Sequence, residues 1–147
     1  MKSIFFYFCL LLTLIFSGCT KKVTHSERFN NLIGEWHLTA NGQDLNHNGV
    51  LDDSEIVPKP DSVVIVAVYF ANGTGYTNLT ISGQSFSNTT INWLLLDQDR
   101  VYREIANPNS SVTTTNDFRI QTLSSTTFIY PVPTSMSDTN YEVFTKQ

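Results

Sequence analysis

From Leu32 onward, short runs of strand-forming residues alternate with clusters of turn formers, and no long stretch carries apolar residues at helical spacing. Leu32–Ala40 reads as a first strand, and the Asp/Asn/Gly-rich stretch up to Pro60 reads as a long loop. Ser62–Ala71 is a continuous Val-rich run, which suits a strand buried on both faces or a barrel wall. Asn72-Gly73 then supplies a hairpin turn into Thr74–Ser82. Phe86–Leu96 places Thr89, Ile91, Trp93 and Leu95 on one face. Arg100–Ala106 sets Val101, Arg103 and Ile105 opposite Tyr102 and Glu104. Val112–Leu123, with Phe118 and Ile120 on a shared face, Thr126–Pro131 and Tyr141–Lys146 complete about seven or eight strands, the pattern of a sandwich or barrel. The polar segment before Leu32 reads as a tether that enters a short helical turn near Ser26–Asn31, with Ser26 as N-cap.

Composition agrees with an all-β exported protein. Charged residues make up 15% of the 147-residue chain, against roughly 25% in ordinary soluble domains. The formal net charge is −4, which excludes the basic surface that attracts nucleic acid.

Residues 1–18 look like a leader. Lys2 gives a basic start, Ile4–Phe16 is apolar apart from Thr13, and Ser17-Gly18-Cys19 follows. That run is too short to span a hydrocarbon core of about 30 Å at about 1.5 Å per helical residue. After cleavage Cys19 is the one cysteine left, since Cys9 departs with the leader, so no intramolecular disulfide can form. Phe16-Ser17-Gly18-Cys19 resembles the lipobox of bacterial lipoproteins, with Phe16 where Leu is commoner. The resemblance implies a diacylglycerol on the Cys19 thiol, cleavage before it, and a mature chain held to a membrane by acyl chains. Thr20 is not the acidic residue that retains some such proteins in the inner membrane, so the resemblance implies the outer membrane, facing the periplasm or the surface. The alternative is a simple secreted protein in which Cys19 is incidental.

Asp44–Glu55 fits the D-x-[DN]-x-[DN]-G-x5-E pattern of a calcium loop. Asp44, Asn46 and Asn48 offer side-chain oxygens at alternate positions, Gly49 allows the sharp turn, and Val50 offers its carbonyl. Asp52 acts directly or through water, and Glu55 closes the shell with both oxygens. Leu51 takes the position that faces the core in ordinary EF-hands. Pro58 and Pro60 block an exit helix, so the loop is expected between strands. With Asn at two donor positions, the expected affinity is weak, on the order of 10⁻⁴ to 10⁻³ M, and the role structural. A solvated turn of Asn, Asp and Gly is the alternative.

Leu32-Ile33-Gly34-Glu35-Trp36-His37-Leu38 carries the G-x-W strand opening of lipocalins, preceded as there by a helical turn. Phe70-Ala71-Asn72-Gly73-Thr74-Gly75 is similar to a recurring F-x-x-[DN]-G-T hairpin, Trp93 heads a W-x-L strand, and Phe118–Leu123 precedes Thr126-Thr127-Phe128. This succession resembles the short lipocalin-like lipoproteins of Gram-negative bacteria. The resemblance implies a small antiparallel up-and-down β-barrel over residues 32–147, after a lipidated tether at 19–31. It also implies Trp36 as a plug of the closed end and a basic residue of the last strands packed over it, for which Arg119 and Lys146 are candidates.

Tyr69, Tyr76, Trp93, Tyr102 and Phe118 are candidate contacts for a small apolar or amphipathic ligand inside such a barrel, and simple core packing is the competing role for the tryptophans. A second class of function is a structural or interaction lipoprotein that docks an envelope partner or inhibits an enzyme through its outer surface. No metalloprotease, nucleophile-elbow, P-loop or dinucleotide motif is present, so no enzyme activity is expected.

Overall fold

The structure is a computed structural model that describes residues 25–97, 100–106, 113–132 and 139–147. Helix α1 (His25–Leu32) leads into β1 (Gly34–Gln43). A loop and a three-residue 3-10 turn (Asp53–Glu55) follow, then β2 (Ile56–Pro58), β3 (Val63–Tyr69), β4 (Thr74–Ile81) and β5 (Gln84–Asp97). The remaining strands are β6 (Arg100–Ala106), β7 (Thr113–Arg119), β8 (Thr122–Leu123), β9 (Thr127–Val132) and β10 (Asn140–Lys146).

All ladders are antiparallel, in the order β7-β6-β5-β4-β3-β1-β10-β9-β8, with β2 paired to β1. Strands β3 to β7 run up and down between near neighbours, and β1 meets β10, so the sheet wraps into a barrel. The two ends of the order, β7 and β8, are consecutive in the chain. The expected single strand Val112–Leu123 is therefore two, because the chain bends at Ile120 and Gln121 to leave β6 and join β9. Across that seam the rings of Phe118 and Tyr130 stack at 4.3 Å. Among the described residues no ladder joins β7 to β9.

The alternating strand pattern explains the core. Ile91, Trp93 and Leu95 are buried while Asn92, Leu94 and Leu96 are exposed, as period-two geometry requires. One closed end is filled by α1 and aromatic rings. Trp36 is fully buried and its Nε1 donates to the Leu32 carbonyl at 2.8 Å; Trp93 packs on Phe29 at 5.3 Å, and its Nε1 donates to the Thr74 carbonyl at 2.9 Å. Both indole N–H groups are thereby satisfied, which lets each ring contribute about 1.5–3 kcal/mol of burial without an orphaned donor. Over Trp36 sits Lys146, with Nζ 5.1 Å from the ring centroid, while Arg119 is exposed. Gly34 makes this possible: its φ is +132°, and a Cβ there would lie 2.6 Å from Lys146 Cε.

One irregularity decides where the loop after β1 can pack. Leu38 faces Phe144 and Ala40 faces Val143, so Thr39 is an extra residue that makes a β-bulge. Before it Trp36 and Leu38 point into the barrel. After it Ala40 and Gly42 point outward, where Leu51 from the loop covers them together with Tyr141 and Val143 in a second small core.

Candidate functional site

The loop that leaves β1 is anchored at both ends and in the middle. Asp44 and Glu55 are buried carboxylates. Asp44 Oδ1 accepts from Asn48 N–H at 3.1 Å and Oδ2 from Gly49 N–H at 2.8 Å; Gly49 has φ +80°, the left-handed turn. Glu55 Oε1 accepts from the N–H groups of Leu45 (2.8 Å) and Asn46 (3.2 Å), and Oε2 from that of Asp52 at 3.0 Å. Asp52 Oδ2 accepts from the side-chain amides of Asn46 and Asn48 at 2.8 and 3.0 Å. Leu51 is clasped from the barrel seam, where Gln121 accepts from its N–H at 2.8 Å and donates to its carbonyl at 3.2 Å. The Tyr141 hydroxyl donates to the Gly49 carbonyl at 3.1 Å. Burial first, then the negative Asp44 and Glu55 carboxylates, raise the Tyr141 phenol above its ordinary value.

Asp44, Asn46, Asn48, Asp52 and Glu55 thus share one tight bend, with Val50 exposed beside them. No three His, Cys, Asp or Glu side chains among the described residues gather about one point, since amide donors take up each carboxylate. The donor chemistry nonetheless suits a hard cation, because the side-chain donors there are all oxygen. The loop stands between β1 and a 3-10 turn, without flanking helices.

The interior holds a polar cluster that the sequence reading did not single out. Arg103 on β6 is buried, its Nη1 donates to the Tyr69 hydroxyl at 3.1 Å, and its guanidinium lies over the rings of Phe118 and Tyr130 at 5.2 and 5.5 Å. Its Nε, also buried, has no partner. The Tyr130 hydroxyl donates to Glu142 Oε2. Burial holds the Tyr130 phenol well above its ordinary value, aided by Glu142 and opposed by Arg103. The signal for Arg103 was its place on the same strand face as Val101, where an apolar residue belongs.

Two spaces border this cluster. A cavity of about 170 Å³ is walled by Ile65, Thr77, Arg103, Tyr130, Glu142 and Phe144, among others. A cleft of about 510 Å³ is walled by Asn41, Gln43 and Asn140 at the strand ends, by Leu45 and Glu55 of the loop, and again by Glu142. Glu142 is therefore common to both.

No family model and no curated protein sequence matches the chain. Among solved structures, a lipocalin-like protein from Bacteroides uniformis ATCC 8492 superposes with a TM-score of 0.55 at 14% identity, covering 80% of this chain and 99% of that one. The fold is lipocalin-like.

Within the lipocalin-like barrel the candidate ligand contacts separate. Tyr69, Trp93 and Phe118 are buried together around Phe128 and Arg103, with Tyr69 edge-on to Trp93 at 5.7 Å. None of the three is among the residues that wall these two spaces, and all three are packed against other rings. Tyr76 does not join them. It pairs with Val68 across the ladder, one residue out of step with Tyr69, and packs on exposed Phe70 at 6.1 Å. The side chain of Tyr102 and the whole of residues 1–24, with Cys19 and the expected leader, lie outside the described residues.

Proposed function

We propose that this chain is a lipid-anchored envelope protein whose lipocalin-like barrel binds a small amphipathic ligand through its loop-flanked mouth. The observation that carries the reading is the pair of spaces that have Glu142 as a common wall. The mouth cleft, at about 510 Å³, falls in the range of about 300–1,000 Å³ usual for small-molecule sites, and the smaller cavity is lined by the polar groups of Arg103, Tyr130 and Glu142. A thermal-shift screen of the mature protein against fatty acids, sterols and glycans tests it. A stabilising class is the expected result, and no shift with any class counts against it.

A second reading has its own support. Much of the interior is filled by aromatic rings, and Leu94 and Leu96, two residues apart on one face of β5, are 58% and 44% exposed, where they offer an apolar outer surface to an envelope partner. Crosslinking from intact membranes separates the two: a stoichiometric protein adduct lost on Leu94→Asp, with no ligand shift, favours docking.

Calcium is proposed as the loop's ligand. Asp44, Asn46, Asn48, Asp52, Glu55 and the Val50 carbonyl would hold it, and the ion would neutralise the carboxylates whose charge reaches Tyr141. Anchoring through Cys19 is proposed from the leader alone. Intact mass of the membrane-extracted protein should show cleavage before Cys19 and an acyl adduct that Cys19→Ala abolishes; an unmodified mature mass would refute it.

A further inference from the structure

The buried arginine specifies what kind of head group the barrel accepts. Arg103 is 8% exposed, and it forms no ion pair with any described residue. Its described contacts are two neutral phenols, Tyr69 and Tyr130, and the aromatic faces of Phe118 and Tyr130. A guanidinium remains charged at any physiological pH, and a buried charge without a counterion is unfavourable unless something else supplies the opposite charge. Here Nε is buried, unpartnered and borne by a side chain that forms part of the wall of the inner cavity. Glu142 walls the same cavity, but the hydroxyl of Tyr130 is bonded to its Oε2.

We infer that Arg103 is the anchor for the carboxylate of a monoanionic amphiphile, a long-chain acid whose head enters the inner cavity and whose chain lies in the mouth cleft. This rests on the ligand-binding reading above and deepens it. The planar fork of a guanidinium matches a carboxylate better than any other side chain does. With the Glu142 carboxylate on the same wall as the single guanidinium, a monoanion meets less repulsion there than a phosphate dianion would. A cavity of about 170 Å³ suits a compact head group, and the larger cleft beyond Glu142 has an apolar share of wall from Leu45, Val57 and Val132 for the chain. Glu142 also sets a direction: it disfavours an anion that stops at the rim, so the head gains only on reaching the arginine.

The test compares a long-chain fatty acid with its methyl ester, each displacing a fluorescent polyene fatty acid from the mature protein. The acid is expected to compete at least tenfold better than the ester, and Arg103→Met to reduce that preference to about unity while the ester is unaffected. The wild-type comparison alone decides the matter where Arg103→Met does not fold, as judged by circular dichroism. Equal competition by acid and ester would overturn the head-group assignment and leave ligand binding standing. Failure of the polyene acid itself to bind, with stabilisation by a sterol or a glycan in the thermal-shift screen, would overturn the assignment in the same way. Absence of binding by every class would overturn both.

Discussion

Lys146 Nζ lies 5.1 Å from the centroid of the Trp36 ring and donates to the Asn31 carbonyl at 2.9 Å, so one ammonium ties the last strand to the first and to the end of α1. A cation over an aromatic face contributes about 0.5–2 kcal/mol, and a charged hydrogen bond adds to it. Lys146→Met should therefore cost about 1–3 kcal/mol in urea unfolding. A loss below about 0.5 kcal/mol would mean that the ring is held by burial alone.

Tyr130 predicts the alkaline limit of stability. Its pKa is raised in the folded protein above the unfolded value of about 10, so above that pH the folded state binds more protons than the unfolded state. The contribution is complete below about pH 10 and is lost as pH rises through the folded pKa. Tyr141 acts in the same sense, and Lys146, lowered by burial, in the opposite one. Urea midpoints at pH 8 and pH 11 should fall for the wild type and fall less for Tyr130→Phe; equal slopes would contradict the assignment.

Calcium should stabilise the fold if the loop binds it. At about 100 times the dissociation constant, near 10 mM for a constant of about 10⁻⁴ M, the gain is about 2.7 kcal/mol. Glu55→Gln should abolish the gain in calorimetry. It should also weaken the metal-free protein by about 1–3 kcal/mol, because the Glu55 carboxylate accepts from three backbone N–H groups. Calcium binding retained in Glu55→Gln would exclude this loop as its site.

Two glycines should respond differently to alanine. A Cβ on Gly75 would collide with the Val68 carbonyl, which is backbone and cannot yield, so Gly75→Ala should cost about 3 kcal/mol or more. A Cβ on Gly42 would collide with the side chain of Leu51, which can move, so Gly42→Ala should cost about 1–3 kcal/mol and loosen the loop. Gly42→Ala combined with Leu51→Ala should cost less than the sum of the two. Strict additivity in denaturant melts would show that Leu51 does not sit against Gly42.

Strands were legible because period two is written into Ile91, Trp93 and Leu95, and the basic partner of Trp36 was narrowed to two residues, of which Lys146 is the one in place. The face of Tyr76 was not read, although the Asn72-Gly73 hairpin fixes Tyr69 opposite Gly75 and so turns Tyr76 outward. The bend at Ile120 and Gln121 escaped notice because an unbroken run of strand formers spans it. Arg103 was placed on the apolar face, but what a charge does there depends on β3, β7 and β9, which bring Tyr69, Phe118 and Tyr130 to it from elsewhere in the chain.

Thr39 works like a shift of reading frame within β1. Upstream of it even-numbered residues serve the barrel, and downstream of it even-numbered residues serve the loop, so a single strand supports both compartments. Deleting that one residue would leave Leu38 opposite Phe144 and Ala40 opposite Val143 in unbroken alternation, whereas keeping it without the bulge would turn Ala40 and Gly42 inward and expel Asn41 beneath Leu51. Loop and mouth are coupled through this residue, and any rearrangement that irons out the bulge would reach both at once.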